Sequence, residues 1–113
     1  MSKEFVFHKD VVAENVAEGT VRRILAYSDQ LMVCELCFTK GAASDSHSHP
    51  HDQITYVVKG AMEFVVGDKR SVVRAGDTVY MPGGVAHCIA IVLEDSIIVD
   101  TFSPKRDDFL KRK

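Results

Sequence analysis

The sequence has almost no net charge, no long apolar run, few cysteines and no helical periodicity, and each absence excludes something. Its 14 Lys and Arg stand against 16 Asp and Glu, a formal charge of −2. No overall basic field is present to hold nucleic acid or an anionic membrane, so neither is expected as a partner and any ligand must be argued from a site. The longest uninterrupted apolar run, Cys88 to Leu93, is six residues, where a membrane span needs roughly 20. The opening Met1-Ser2-Lys3-Glu4-Phe5 has neither the basic nor the apolar stretch of a secretory signal, and a cytoplasmic location is the expectation. Cys34, Cys37 and Cys88 are too few, and odd in number, for a disulfide framework. Cys34 and Cys37 have the spacing of a redox or zinc pair but lie in a stretch that reads as a strand, where positions i and i+3 point to opposite faces. Buried free thiols in a reducing compartment are expected instead. A nucleophile elbow, a Walker motif and a dinucleotide fingerprint are all missing.

What is present is a succession of short segments rich in Val, Ile, Thr, Phe and Tyr, cut by Gly and Pro. The chain reads as all-β. With 46% apolar and 27% charged residues over 113 positions, it has the balance of one water-soluble domain. That domain divides into an N-terminal arm over 1–19, a barrel over 20–103 and a tail over 104–113. Candidate strands cover 20–27, 31–39, 54–58, 61–66, 69–73, 78–81, 87–93 and 97–102. Lys59-Gly60 and Gly67-Asp68 read as hairpin turns and Gly76-Asp77 as a third turn, with glycine supplying the positive φ. Many short antiparallel strands leave exposed edges that a jelly-roll barrel removes, which makes that the expected fold. A lone barrel of this size buries only part of its surface, so a homodimer is expected. Residues 11–16 fit either a helical turn or a strand. Asp107 to Lys113 reads as a short helix or frayed tail, its closing Lys111-Arg112-Lys113 a solvated terminus. Tyr56, Phe64, Tyr80 and Met81 read as core or pocket lining.

Four of the five histidines fall in Ser46-His47-Ser48-His49-Pro50-His51-Asp52-Gln53 and Gly84-Val85-Ala86-His87. In an extended segment, residues i and i+2 project to the same side roughly 6.6 Å apart, so His47 and His49 can converge on one ion. A nitrogen from His87 and an oxygen from Gln53 would complete four protein ligands around a divalent transition metal and leave a coordination position open; Zn, Ni, Mn, Co and Fe all accept such a set. His51 follows Pro50, which interrupts the alternation, and reads as pocket wall or support rather than ligand. His8 reads as a surface residue.

Gly41-x5-His47-x-His49-x3-Gln53-x6-Gly60 followed by Gly76-x5-Pro82-x-Gly84-x2-His87 resembles the paired motifs of the cupin superfamily, with every spacing kept. The resemblance implies the cupin double-stranded β-helix. Two positions depart from the general pattern: Gln53 stands where a metal-binding Glu is usual, and Ile91 where an Asn closes the second motif. A neutral amide leaves the ion's charge uncompensated, which strengthens it as a Lewis acid while weakening its binding. The segments 47–57, 25–32 and 98–110 are similar to the pectin-degradation cupins of the KdgF type, in which Gln is the expected fourth ligand. That likeness implies conversion of 4,5-unsaturated uronate monosaccharides, a small sugar-acid substrate, into the linear 5-keto sugar acid. A three-His iron dioxygenase and a non-catalytic sugar-binding cupin are the rival readings.

Such a ring opening needs a proton-moving group and a cation for the substrate carboxylate. Ile98, Asp100 and Phe102 share one strand face, where a carboxylate that is buried and unpaired costs several kcal/mol, so Asp100 is expected to look into a wet, polar pocket. The subgroup's Asp-x-Phe-x-Pro-x-Arg pattern assigns Asp100 as general acid/base, Phe102 as a wall against the sugar, and Arg106 as the carboxylate clamp. The structural alternatives are an ion pair of Asp100 with Arg22 or Arg23, and of Arg106 with Asp107 or Asp108.

Overall fold

The structure, a computed structural model, describes residues 1–111. Nine strands follow one another: β1 Glu14–Ala17, β2 Thr20–Tyr27, β3 Met32–Phe38, β4 Asp52–Lys59, β5 Ala61–Val66, β6 Lys69–Arg74, β7 Thr78–Met81, β8 His87–Val92 and β9 Ser96–Ser103. A 3-10 turn precedes them at His8–Asp10 and a single helical turn, α1, closes the described chain at Asp107–Leu110. The strands form a six-stranded sheet in the order β1-β2-β3-β9-β4-β7 and a three-stranded sheet in the order β6-β5-β8. All pairings are antiparallel. The chain repeatedly crosses from one sheet to the other, and the all-β double-stranded β-helix is the result.

Two expectations need correction. Gly67 does turn a hairpin, because Val66 pairs with Lys69, but Lys59-Gly60 does not. It carries the chain from β4 in the large sheet to β5 in the small one. Gly60 sits at φ 92°, and a Cβ there would collide with Ser96, so the crossing is packed directly against the start of β9. Tyr56 and Tyr80 are 47% and 57% exposed, neither core nor pocket. Strict alternation along β4 turns Gln53, Thr55 and Val57 inward, which sends Ile54, Tyr56 and Val58 outward, and Tyr80 follows as the register partner of Ile54. Phe64 and Met81 are buried as expected. The undecided 11–16 segment contributes β1, whose Glu14 stands opposite Arg22 of β2. Of the tail, Asp107–Leu110 is helical; the Lys111-Arg112-Lys113 terminus extends outside the described residues.

The interior divides in two. One apolar cluster gathers Phe38, Val57, Met62, Phe64, Val73, Met81, Ile89, Val92 and Ile98 between the sheets. A smaller one, Met32, Cys34 and Phe102, receives Phe109 and Leu110 from the C-terminal turn. Cys34 is buried, Cys37 and Cys88 partly so, and all three are free thiols. Among the described residues no helix is long and apolar enough to cross a membrane.

Candidate metal centre

Two loops bring the histidines together. His47 and His87 form an isolated antiparallel bridge, each donating its backbone N–H to the other's carbonyl, at 3.1 and 2.9 Å. Beside it, Gly84 N–H donates to the His49 carbonyl and Gly83 N–H to Asp52 Oδ1, both at 2.8 Å. A Cβ at Gly83 would press into the Pro50 carbonyl, so the glycine permits this close approach of the loops. The ring centroids of His47 and His87 lie 4.5 Å apart, those of His49 and His87 4.9 Å, and those of His47 and His49 6.0 Å.

Each ring is oriented by a backbone carbonyl at its Nδ1: Asp45 for His47 at 2.8 Å, His51 for His49 at 3.1 Å and Val85 for His87 at 3.0 Å. A carbonyl can only accept, so all three Nδ1 atoms carry the hydrogen, and a neutral ring then presents a bare Nε2 lone pair. The ligating atoms of the three rings lie within 4.8 Å of one another. Gln53, on the inner face of β4, donates its amide N–H to Thr55 Oγ1 at 3.2 Å, which leaves its Oε1 3.1 Å from His49 Nε2. Two lone-pair atoms that close repel unless a cation lies between them. Protonating His49 would supply one, but burial, then the Arg106 charge, hold its pKa below the usual 6.5. His87 Nε2 is buried with no hydrogen-bond partner, and burial lowers the pKa of that ring too. Three bare imidazole nitrogens and an amide oxygen facing one another fit a divalent metal ion.

His51 lies outside this group. Its ring stands 5.3 Å from that of His49, and its contribution to the centre is the carbonyl that orients His49. His8 is exposed and meets Glu35 at 2.9 Å.

Asp100 is only 5% exposed and lies in the wall of a cavity. Thr55 Oγ1 donates to its Oδ1 at 2.5 Å, and neither alternative arginine takes it: Arg22 pairs with Glu14 and Arg23 with Glu35. Burial pushes the Asp100 carboxyl from 3.8 up to about 6, against the opposing pull of hydrogen bonds from Thr55 and Gln53 and of the Arg106 charge. Asp100, Phe102 and Arg106 line the same cavity of about 350 Å³ as His47, Gln53 and His87. Arg106 does form the structural ion pair considered above, with Asp108: Nε donates to Oδ1 at 3.0 Å and Nη2 to Oδ2 at 2.8 Å. Its guanidinium carbon also stands 5.0 Å from the Phe102 ring centre and 4.1 Å from that of Phe109.

Sequence reasoning missed two contributors. Thr55 joins Gln53 to Asp100, and its position two residues after Gln53 on β4 was the available signal. Phe109 lines the cavity, stacked against Arg22 at 3.9 Å as well as Arg106, and no local pattern announced it.

Comparison with known proteins identifies the chain's relatives. Residues 34–99 match the family described as the cupin domain. The chain is 39% identical over 98 residues to the pectin degradation protein KdgF of Dickeya dadantii, covering 86% of this chain and 89% of that protein. Among solved structures, an RmlC-like cupin from Shewanella frigidimarina superposes with a TM-score of 0.91 at 35% identity over 96% of each chain. KdgF from a Halomonas species superposes at 0.88 and 33% identity, covering 96% of this chain and 99% of the other.

Proposed function

We propose that this chain, which belongs to the cupin domain family, opens the ring of 4,5-unsaturated uronate monosaccharides released in pectin or alginate breakdown. The observation that carries the reading is one cavity lined by His47, His87 and Gln53 together with a buried carboxyl and an arginine, the ring of His49 clustering with those of His47 and His87. The likeness to two KdgF proteins over most of the chain supports the substrate class.

The chemistry is an isomerisation. The hemiacetal hydroxyl loses its proton, the ring C–O bond breaks to free an aldehyde, and the ring oxygen, left as an enol, becomes a ketone as a proton is added to the neighbouring carbon. No electrons leave the substrate, so no redox cofactor is needed. A divalent metal held by His47, His49, Gln53 and His87 would supply Lewis acidity toward a substrate oxygen. Asp100 moves the proton, with a carboxyl poised near neutrality and held in place by Thr55. Phe102 forms the wall beside His49, their ring centroids 5.9 Å apart. Arg106 receives the substrate carboxylate. We place the enzyme in the cytoplasm and expect a homodimer, which sedimentation equilibrium tests.

Lyase-generated unsaturated galacturonate added to the metal-loaded protein should lose its enol absorbance far faster than in buffer. A decay no faster than buffer overturns the reading.

A further inference from the structure

The ion pair between Arg106 and Asp108 is more than a surface contact. A guanidinium carries five N–H groups, and Asp108 takes the edge formed by Nε and Nη2. The second edge, Nη1 with the other hydrogen of Nη2, is also matched to a carboxylate, and among the described residues nothing accepts from Nη1. The Arg106 side chain is 11% exposed and lines the cavity, whereas Asp108 is 57% exposed and is not among the residues that line it. Phe102 and Phe109 limit how far the guanidinium plane can tilt. Neither ring can stop the plane from rotating within itself; a two-point hydrogen bond can. Asp108 belongs to the one-turn helix α1 whose first flanking residue is Arg106, so the lock is built by the local fold of the tail.

We propose that Asp108 is a positioning residue for substrate recognition: it fixes the in-plane orientation of Arg106 so that the unused guanidinium edge meets the carboxylate of a uronate. The inference rests on Arg106 being the carboxylate clamp. It opposes the simpler electrostatic expectation, in which the nearby negative charge of Asp108 weakens the hold on an anionic substrate. The Arg106 hydrogen bonds hold the Asp108 carboxyl below its usual value, so the pair stays charged across the working range. Asp108 is the exposed partner, so replacing its carboxylate costs little folding stability and should leave the protein intact.

The test compares wild type, Asp108→Asn, Asp108→Glu, Arg106→Ala and the Arg106→Ala/Asp108→Asn double variant, all metal-loaded. KM and kcat are read on unsaturated galacturonate and Kd by calorimetry on saturated galacturonate. Asp108→Asn, which keeps the shape and loses the second acceptor, should raise KM and Kd about tenfold with kcat within about threefold of wild type. Asp108→Glu should recover most of that loss, and in the Arg106→Ala background Asp108→Asn should add nothing. An unchanged or lowered KM in Asp108→Asn, with Arg106→Ala impaired, overturns the positioning role alone. A wild-type KM in Arg106→Ala overturns the clamp itself.

Discussion

Strands β4 and β9 run side by side through two different interiors. At one end their inward residues are Val57 and Ile98, paired in register and fully inside the apolar cluster. Two residues along, the pair is Thr55 and Asp100, and two further it is Gln53 and Phe102 beside the histidines. Backbone, register and alternation are the same throughout; only the side chains change. The apolar end is stabilised by filled volume, so its vulnerability is a cavity. The polar end is held by satisfied lone pairs and protons, so its vulnerability is a missing partner.

The widest separation between the two ends should come from function. His49→Ala removes one of the three rings and should abolish metal binding and turnover together, read by metal analysis and the enol assay. Asp100→Ala should keep the metal and lower kcat by about 100-fold or more; an active Asp100→Ala protein would break the distinction between holding the metal and moving the proton. Within the apolar cluster, Met62→Ala, at a fully buried side chain that does not line the cavity, should cost about 3 kcal/mol in denaturant unfolding through the void it leaves, while kcat stays near wild type below the melting transition.

A smaller effect separates the ends by pH. With its carboxyl pushed from 3.8 to about 6, folded Asp100 holds its proton more tightly than the unfolded chain does. That contribution is complete below about pH 4 and lost as pH rises through about 6, on the order of a few kcal/mol. In metal-free protein, Asp100→Asn should remove this slope, and an identical slope in both proteins would show that the carboxylate is not buried in solution. The smallest effect should be that of Thr55→Val, about 1 kcal/mol of stability. It also deletes a hydrogen bond that favours the ionised form of Asp100, so the acid limb of the kcat profile should move to higher pH.

The histidine pattern was legible because metal ligation and strand alternation share one short-range rule: His47 and His49 are two apart, and Gln53, Thr55 and Val57 continue with the same parity on β4. All eight expected strands exist, because β-rich runs between glycine turns report local preference. Which sheet a strand joins is a non-local matter, and Lys59-Gly60 looks the same locally whether it closes a hairpin or crosses the barrel. Tyr56 and Tyr80 were misassigned for a related reason. Aromatic character suggests burial, whereas facing is decided by the parity that Gln53 imposes on the strand.

Residue types and their spacing along the chain settled the β architecture, the turns that need positive φ and the same-side placement of His47 and His49, since these depend on contacts within a few residues. Folding alone decided that His87 joins His47 and His49, that Nε2 of His49 meets Gln53 Oε1, that Asp100 is buried and bound to Thr55, and that Asp108 occupies one edge of Arg106. Those outcomes depend on the distance between atoms that the chain keeps apart and only packing brings together, and hydrogen bonds and desolvation both change steeply over a few ångströms.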